Sequence, residues 1–134
     1  MNKFEVHIAA TDTKIHSVRP VVILEDNKEN DYVKVLICGS DSLKKNADGS
    51  IISSSMYYKM HPEYKIDPLI VPNAKSQGFD KPTYINIYNV KRIKRSKIGP
   101  SAKGVLNDDT INKLKDVINI DDIVDESLLQ MIER

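Results

Sequence analysis

Apolar and polar residues alternate from Phe4 through Ile8, a period of two that predicts a strand with Phe4, Val6 and Ile8 on one face and His7 turned outward. Val21 to Leu24 behaves differently. Directly after Pro20 it is continuous and β-branched, the mark of a strand buried on both faces. Tyr32 to Cys38 is the next strand, joined to it by the polar loop Glu25 to Asp31 and ended by Gly39. Asp48-Gly49 marks a turn, and Ile51 to Met60 reads as holding another short strand. His61 to Pro82 carries four prolines and one glycine, so it reads as loop with a brief strand around Leu69 to Val71. Thr83 to Ile93 is the clearest strand. Ile85, Ile87 and Ile93 are its predicted core face, and Tyr84, Asn86, Tyr88 and Arg92 its exposed or functional face, with Lys94 just beyond.

The carboxyl end changes period. Asn107 followed by Asp108 and Asp109 is a good helix start, because acids in the first turn face the positive end of the helix dipole. Ile111, Leu114 and Ile118 then recur at helical spacing beside Val117. A second start at Asp121 or Asp122 leads into Val124, Leu128, Met131 and Ile132. The outline is five or six short strands followed by two helices: mainly β, a small and strongly bent sheet or barrel with a helical end. At 134 residues the expectation is a single domain, with a barrel over about 1–106, a helix over about 107–119 and an extra acidic helix over about 121–134.

The single cysteine, Cys38, excludes an intrachain disulfide and a multi-cysteine zinc site, and suits a reducing cytoplasm. Residues 1–10 lack a continuous apolar segment of the secretory kind, and the longest aliphatic run, Val21 to Leu24, falls far short of the roughly 20 residues of a membrane span. A soluble, cytoplasmic protein is expected. The formal charge of +1 argues at first against a nucleic-acid binder, but the charge is segregated. Residues 1–80 carry a net −1, residues 81–103 a net +7 with no acid, and residues 104–134 a net −5. Seven cations within 23 residues, interleaved with Tyr84 and Tyr88, form the footprint of a polyanion site in which bases stack and phosphates pair.

The segment Val18-Arg19-Pro20-Val21-Val22-Ile23-Leu24 places an arginine at the rim of a proline-led buried strand. A guanidinium held with little freedom suits phosphate recognition, since its fork of donors matches phosphate oxygens. His16 lies three residues earlier, where an imidazole can exchange protons near neutral pH, and Lys14 in the same loop adds a cation.

On these residues the sequence resembles the MazF/PemK (Kid) family of toxin ribonucleases. The V-R-P-V-V-I-L string is similar to that family's hallmark, and Tyr32 to Ser40 resembles the strand that follows it. Thr83 to Ile98 resembles the family's late strand and basic turn, and Gly104-Val105-Leu106 with the helix to Ile118 its carboxyl end. The resemblance implies an SH3-like small barrel of the MazF/PemK/CcdB type, a homodimer, and an antitoxin protein as partner. It implies metal-independent cleavage of single-stranded RNA, without a cofactor, leaving a cyclic phosphate and a 5′-hydroxyl. Arg19 then takes the catalytic arginine position, Ser40 the threonine or serine that meets the scissile phosphate, and Lys91 a position commonly held by arginine.

The sequence departs from the pattern at Asn86 and Tyr88, where some members carry arginine and aspartate, and in the loop Thr11 to Ser17, which has no glycine. Lys14, Tyr84, Asn86, Tyr88, Lys91, Arg92 and Lys94 make up the expected RNA-binding set. Two other readings stay open on the same fold: a non-catalytic member that binds RNA or protein, and a toxin that poisons a topoisomerase. The acidic segment 121–134 is expected to pack on the barrel or across a dimer. A sharper expectation is that it covers the basic 81–103 surface, so that its deletion raises RNA affinity.

Overall fold

The computed structural model describes residues 1–10 and 18–117, apart from the side chains of Tyr88 and Asn89. The candidates Lys14 and His16, the side chain of Tyr88, and the acidic segment 121–134 therefore lie outside the described residues.

The chain runs through β1 (Glu5–Ala10), β2 (Val18–Asp26), β3 (Tyr32–Ser40), β4 (Leu43–Lys45), β5 (Ile51–Ser53), α1 (Ser54–Met60), β6 (Pro68–Ile70), β7 (Thr83–Lys94), β8 (Gly104–Val105) and α2 (Asp108–Val117). Six strands form one antiparallel sheet in the order β6-β7-β3-β2-β1-β8, and β4 and β5 make a separate hairpin turning at Gly49. Both faces of β2 are buried, as its continuous apolar run predicts. Val22 and Leu24 join Val6, Leu36, Cys38 and Ile85 on one side, under Phe79, Leu106 and Leu114 of α2. Val21 and Ile23 join Ala9, Val33, Val35, Ile93 and Ile98 on the other. Ile98 bridges back to Ala9, so the sheet curls around this second cluster as a half-barrel. Among the described residues no helix is long and apolar enough to cross a membrane.

Four local expectations are corrected. His7 does not face outward: it is buried, its Nδ1 2.7 Å from the Gly99 carbonyl and its Nε2 3.1 Å from the Glu5 carboxylate. Curling gives β1 two inner faces, so its alternation does not separate core from solvent. Replacing His7 with leucine strips the partner from a part-buried carbonyl and is expected to cost about 1–2 kcal/mol, read as a lower urea midpoint at unchanged slope.

Gly39 does not end β3, which continues to Ser40 and pairs with Thr83. Ile51 to Met60 holds the expected short strand, Ile51–Ser53, but the outline of strands first and helices last is broken, because α1 follows that strand at once. The Ser53 hydroxyl accepts from the Met56 amide at 3.3 Å and caps it.

The fourth correction matters most. Between β3 and β7 the register jumps from Leu36↔Val90 to Cys38↔Ile85, so β7 carries extra residues against its partner. The bulge reverses the faces: Ile85 belongs to the first core cluster and Ile93 to the second. Tyr84 and Arg92 therefore do not share a face.

At the carboxyl end the Asn107 side chain accepts from the Thr110 amide at 2.9 Å and starts α2 as predicted. Leu114 is fully buried and Ile111 packs beside it, while Val117 is 54% exposed.

Candidate functional site

Arg19 lies inside β2, paired with Ala9, and its side chain is exposed. Pro20 behind it pairs with Ile8, and from Val21 the strand enters the core. The guanidinium is thus carried on a strand held from behind, at the mouth of a cleft of about 760 Å³. Ser40 lies in the same cleft, at the end of β3. The turn after it is held on two sides. The Asp41 amide donates to the Pro82 carbonyl at 2.9 Å, and the Asp41 carboxylate accepts from the Ser55 amide at 2.9 Å. The Ser54 hydroxyl donates to the Ser42 carbonyl at 2.7 Å, tying α1 to the same turn.

Tyr84 also lines the cleft but is only 6% exposed. Its ring lies across Gly39, where a Cβ would overlap the phenol oxygen. Burial pushes the Tyr84 phenol above its ordinary range, Tyr58 and Asp41 push the same way, and the Arg19 charge opposes them. Cys38 borders the cleft from within the core, and burial pushes its thiol well up, so it is no ready nucleophile.

Several lining residues lie outside the expected RNA-binding set. Lys44, Lys81 and Lys103 bring three ammonium groups to the cleft, and Tyr58 and Asp80 also line it. Lys81 and Lys103 stand at the two ends of the +7 segment, which the fold turns back on itself. The close crossing of Gly78 (φ 102°) with Gly104 makes that return possible: a Cβ on Gly104 would stand 2.6 Å from the Gln77 carbonyl oxygen. The Lys103 amide then donates to the Val6 carbonyl at 2.7 Å. The available signal was a lysine beside a glycine that permits close backbone approach. Lys44 and Tyr58 carried no comparable signal, because nothing in the sequence marks the helix α1 or its approach to the cleft.

Lys91, Arg92 and Lys94 are not brought to this cleft. Lys91 pairs with Val35 and Lys94 with Tyr32, whereas Thr83 at the cleft pairs with Ser40. Along β3 that places them roughly 17 and 27 Å from the Ser40 end. The Arg92 guanidinium lies 5.4 Å from the Tyr32 ring. Asn86 pairs with Pro68 and accepts from the Asp67 amide at 3.2 Å, so it holds β6.

Arg95 is drawn inward. It bonds the Asp26 carboxylate and donates to the carbonyls of Asn30 (2.8 Å) and Asn27 (3.1 Å). The +7 block is thus divided between the cleft, the far end of the sheet and a structural ion pair.

The Arg95 hydrogen bond holds the Asp26 carboxyl below its ordinary value, against the effect of burial. A depressed folded-state value contributes stability above the unfolded value of about 3.9, lost as pH falls through the folded one. Asp26→Asn is expected to cost about 2 kcal/mol at pH 7, reduced from the fully buried case because Arg95 is partly exposed, and to flatten the loss of stability below pH 4. Urea titrations at pH 3 to 7 check both. Among the described residues no three His, Cys, Asp or Glu side chains converge as metal ligands.

No family model matches the chain, and no curated protein does. Among solved structures, the chain is similar to an endoribonuclease in complex with its cognate antitoxin from a mycobacterial species, at 13% identity and a TM-score of 0.54. The match covers 86% of this chain and 87% of that one. At such identity the likeness is one of fold: a mainly β curled sheet with a carboxyl-terminal helix.

Proposed function

We propose that this chain is a MazF/PemK-type toxin of a type II toxin–antitoxin pair, an endoribonuclease acting on single-stranded RNA. The observation that carries the reading is the meeting of Arg19, Ser40, Lys44, Lys81 and Lys103 around one cleft. The likeness of fold to an endoribonuclease bound by its antitoxin supports it, as does the V-R-P-V-V-I-L string.

The ribose 2′-oxygen attacks the adjacent phosphorus, the bond to the 5′-oxygen breaks, and a 2′,3′-cyclic phosphate and a 5′-hydroxyl result. Negative charge builds on the non-bridging oxygens, where the Arg19 fork meets it with paired donors. The Ser40 hydroxyl donates to the same phosphate, and the three lysines follow the flanking phosphates. His16, three residues before Arg19 in sequence, is the proposed acceptor of the 2′-hydroxyl proton, and Arg19 the proposed donor of the proton that the departing 5′-oxygen takes up. Lys14, Tyr88 and Asn86, with the distant Lys91, Arg92 and Lys94, contact the rest of a longer RNA. An antitoxin protein and a second copy of the chain are the proposed partners.

Incubation with a long single-stranded RNA in EDTA, followed by end-group analysis, tests the proposal. Fragments with 5′-hydroxyl and cyclic-phosphate ends are expected. RNA bound and left whole would instead fit a binding member of the fold, and trapped DNA breaks a topoisomerase poison.

A further inference from the structure

Helix α1 is inverted relative to an ordinary surface helix, which turns its apolar stripe to the core. Its buried residues are Ser54 and Ser55, whereas Met56 and Met60 are 54% and 59% exposed and Tyr57 and Tyr58 half-buried. The large side chains of α1 gather outside with those of the turn that follows. The Tyr57 ring lies 4.4 Å from His61 and 5.9 Å from Tyr64, and Tyr58 lies 5.8 Å from Tyr64. Tyr58 in turn lies 6.0 Å from Tyr84. The rings form a continuous track from the cleft to the half-exposed Tyr64. The Lys44 ammonium stands over two of them, 4.5 Å from Tyr57 and 4.8 Å from Tyr58.

We propose that Tyr57, Tyr58 and Tyr64 with Lys44 form a base-stacking platform that seats an unpaired nucleotide of the RNA beside the scissile phosphate. The inference rests on the single-stranded RNA reading of the cleft. Partly exposed aromatic rings, Tyr64 above all at 51%, match the unstacked bases that a single strand offers and a duplex hides. The Lys44 ammonium beside these rings supplies the phosphate contact at the same step of the chain. The cleft continues the cationic line through Arg19, Lys81 and Lys103. Every base has a π-face, so the platform fixes register and affinity and leaves sequence choice to other contacts.

The test uses the full chain and a 2′-O-methyl RNA 12-mer, which cannot undergo 2′-oxygen attack, carrying single 2-aminopurine substitutions. The wild type is expected to quench 2-aminopurine at one position along the strand. Tyr57→Leu and Tyr64→Leu, which keep apolar bulk, are expected to weaken binding about tenfold or more and to lose the quench, at unchanged salt dependence. Tyr57→Phe keeps both. Lys44→Gln should lower the slope of log affinity against log salt by about one, with the quench retained.

Wild-type affinity and quench in both leucine variants would overturn the platform, and intact cleavage of ordinary RNA would then leave the ribonuclease reading standing. Quenching and its loss in the variants, with ordinary RNA never cut, would support the platform and remove the ribonuclease. No binding of the 12-mer by the wild type would overturn the platform together with the RNA reading of the cleft.

Discussion

Arg19→Ala is expected to lower the rate of RNA cleavage about a thousandfold while leaving the fold intact. The magnitude follows from removing a charged, two-pronged donor from a phosphate that gains negative charge on the way to product, where loss of even a single oriented donor costs on the order of a hundredfold or more. The intact fold follows from placement. The side chain is exposed, and the strand is held by the backbone pairing of Arg19 with Ala9 and by Val21 to Leu24 in the core. Substituting it should move stability by no more than about 0.5 kcal/mol. Arg19→Lys separates charge from geometry. An ammonium keeps the charge but cannot form the fork, so a loss of about a hundredfold is expected. Single-turnover rates on one RNA oligonucleotide, beside thermal unfolding of each variant, make the comparison. A thousandfold loss accompanied by unfolding would assign Arg19 to the fold and not to the cleft.

The second large effect concerns Gly39. Its missing side chain is the space that the Tyr84 ring occupies, and the phenol oxygen lies where a Cβ would stand. Gly39→Ala therefore forces the ring to move in the wall of the cleft, beside Tyr58. Overpacking at a buried position costs about 1–3 kcal/mol, and displacement of the wall should lower cleavage at least tenfold. The clash is pairwise, so it has a partner-specific remedy. In the double variant Gly39→Ala with Tyr84→Ala, the three atoms nearest the added methyl, all of the Tyr84 phenol ring, are gone. The alanine at position 39 should then cost little stability beyond Tyr84→Ala alone, a coupling of about 1 kcal/mol or more. Equal costs of Gly39→Ala with and without the tyrosine ring would show that the methyl is resisted by the backbone and not by Tyr84.

The strands around the core were legible in sequence wherever burial follows a simple rule. Val21 to Leu24 is apolar at every position because both faces of β2 meet core, and Asn107-Asp108-Asp109 starts α2 because its side chains answer the helix end. The rule failed where the sheet departs from a regular ladder. β7 keeps a period of two in its sequence, yet the bulge between Ile85 and Val90 turns Ile85 and Ile93 to opposite faces, so no alternation could place Tyr84 and Arg92. His7 looked external for a related reason: curling gives β1 a partner on each side.

In the cleft, Arg19 was legible because it stands directly before a proline-led apolar run, whereas Ser40 was reached only through the family resemblance. Lys81 and Lys103 were legible as charge in the +7 segment but not as cleft residues, and Lys44 not at all, because they meet only through the hairpin β4–β5 and the Gly78–Gly104 crossing, contacts between segments remote in sequence. The +7 count was correct as arithmetic and incomplete as a surface, since Arg95 spends its charge on Asp26.

The central claim is that this cleft cuts RNA by attack of the neighbouring 2′-oxygen, and one substitution in the substrate tests it most directly. Once a cleavage position is mapped in EDTA, the nucleotide on its 5′ side is replaced by its 2′-deoxy counterpart in an otherwise identical oligonucleotide. The account predicts undiminished binding and no cleavage at that position, with the parent RNA yielding a cyclic phosphate and a 5′-hydroxyl. Cleavage of the 2′-deoxy oligonucleotide at the parent rate would contradict it.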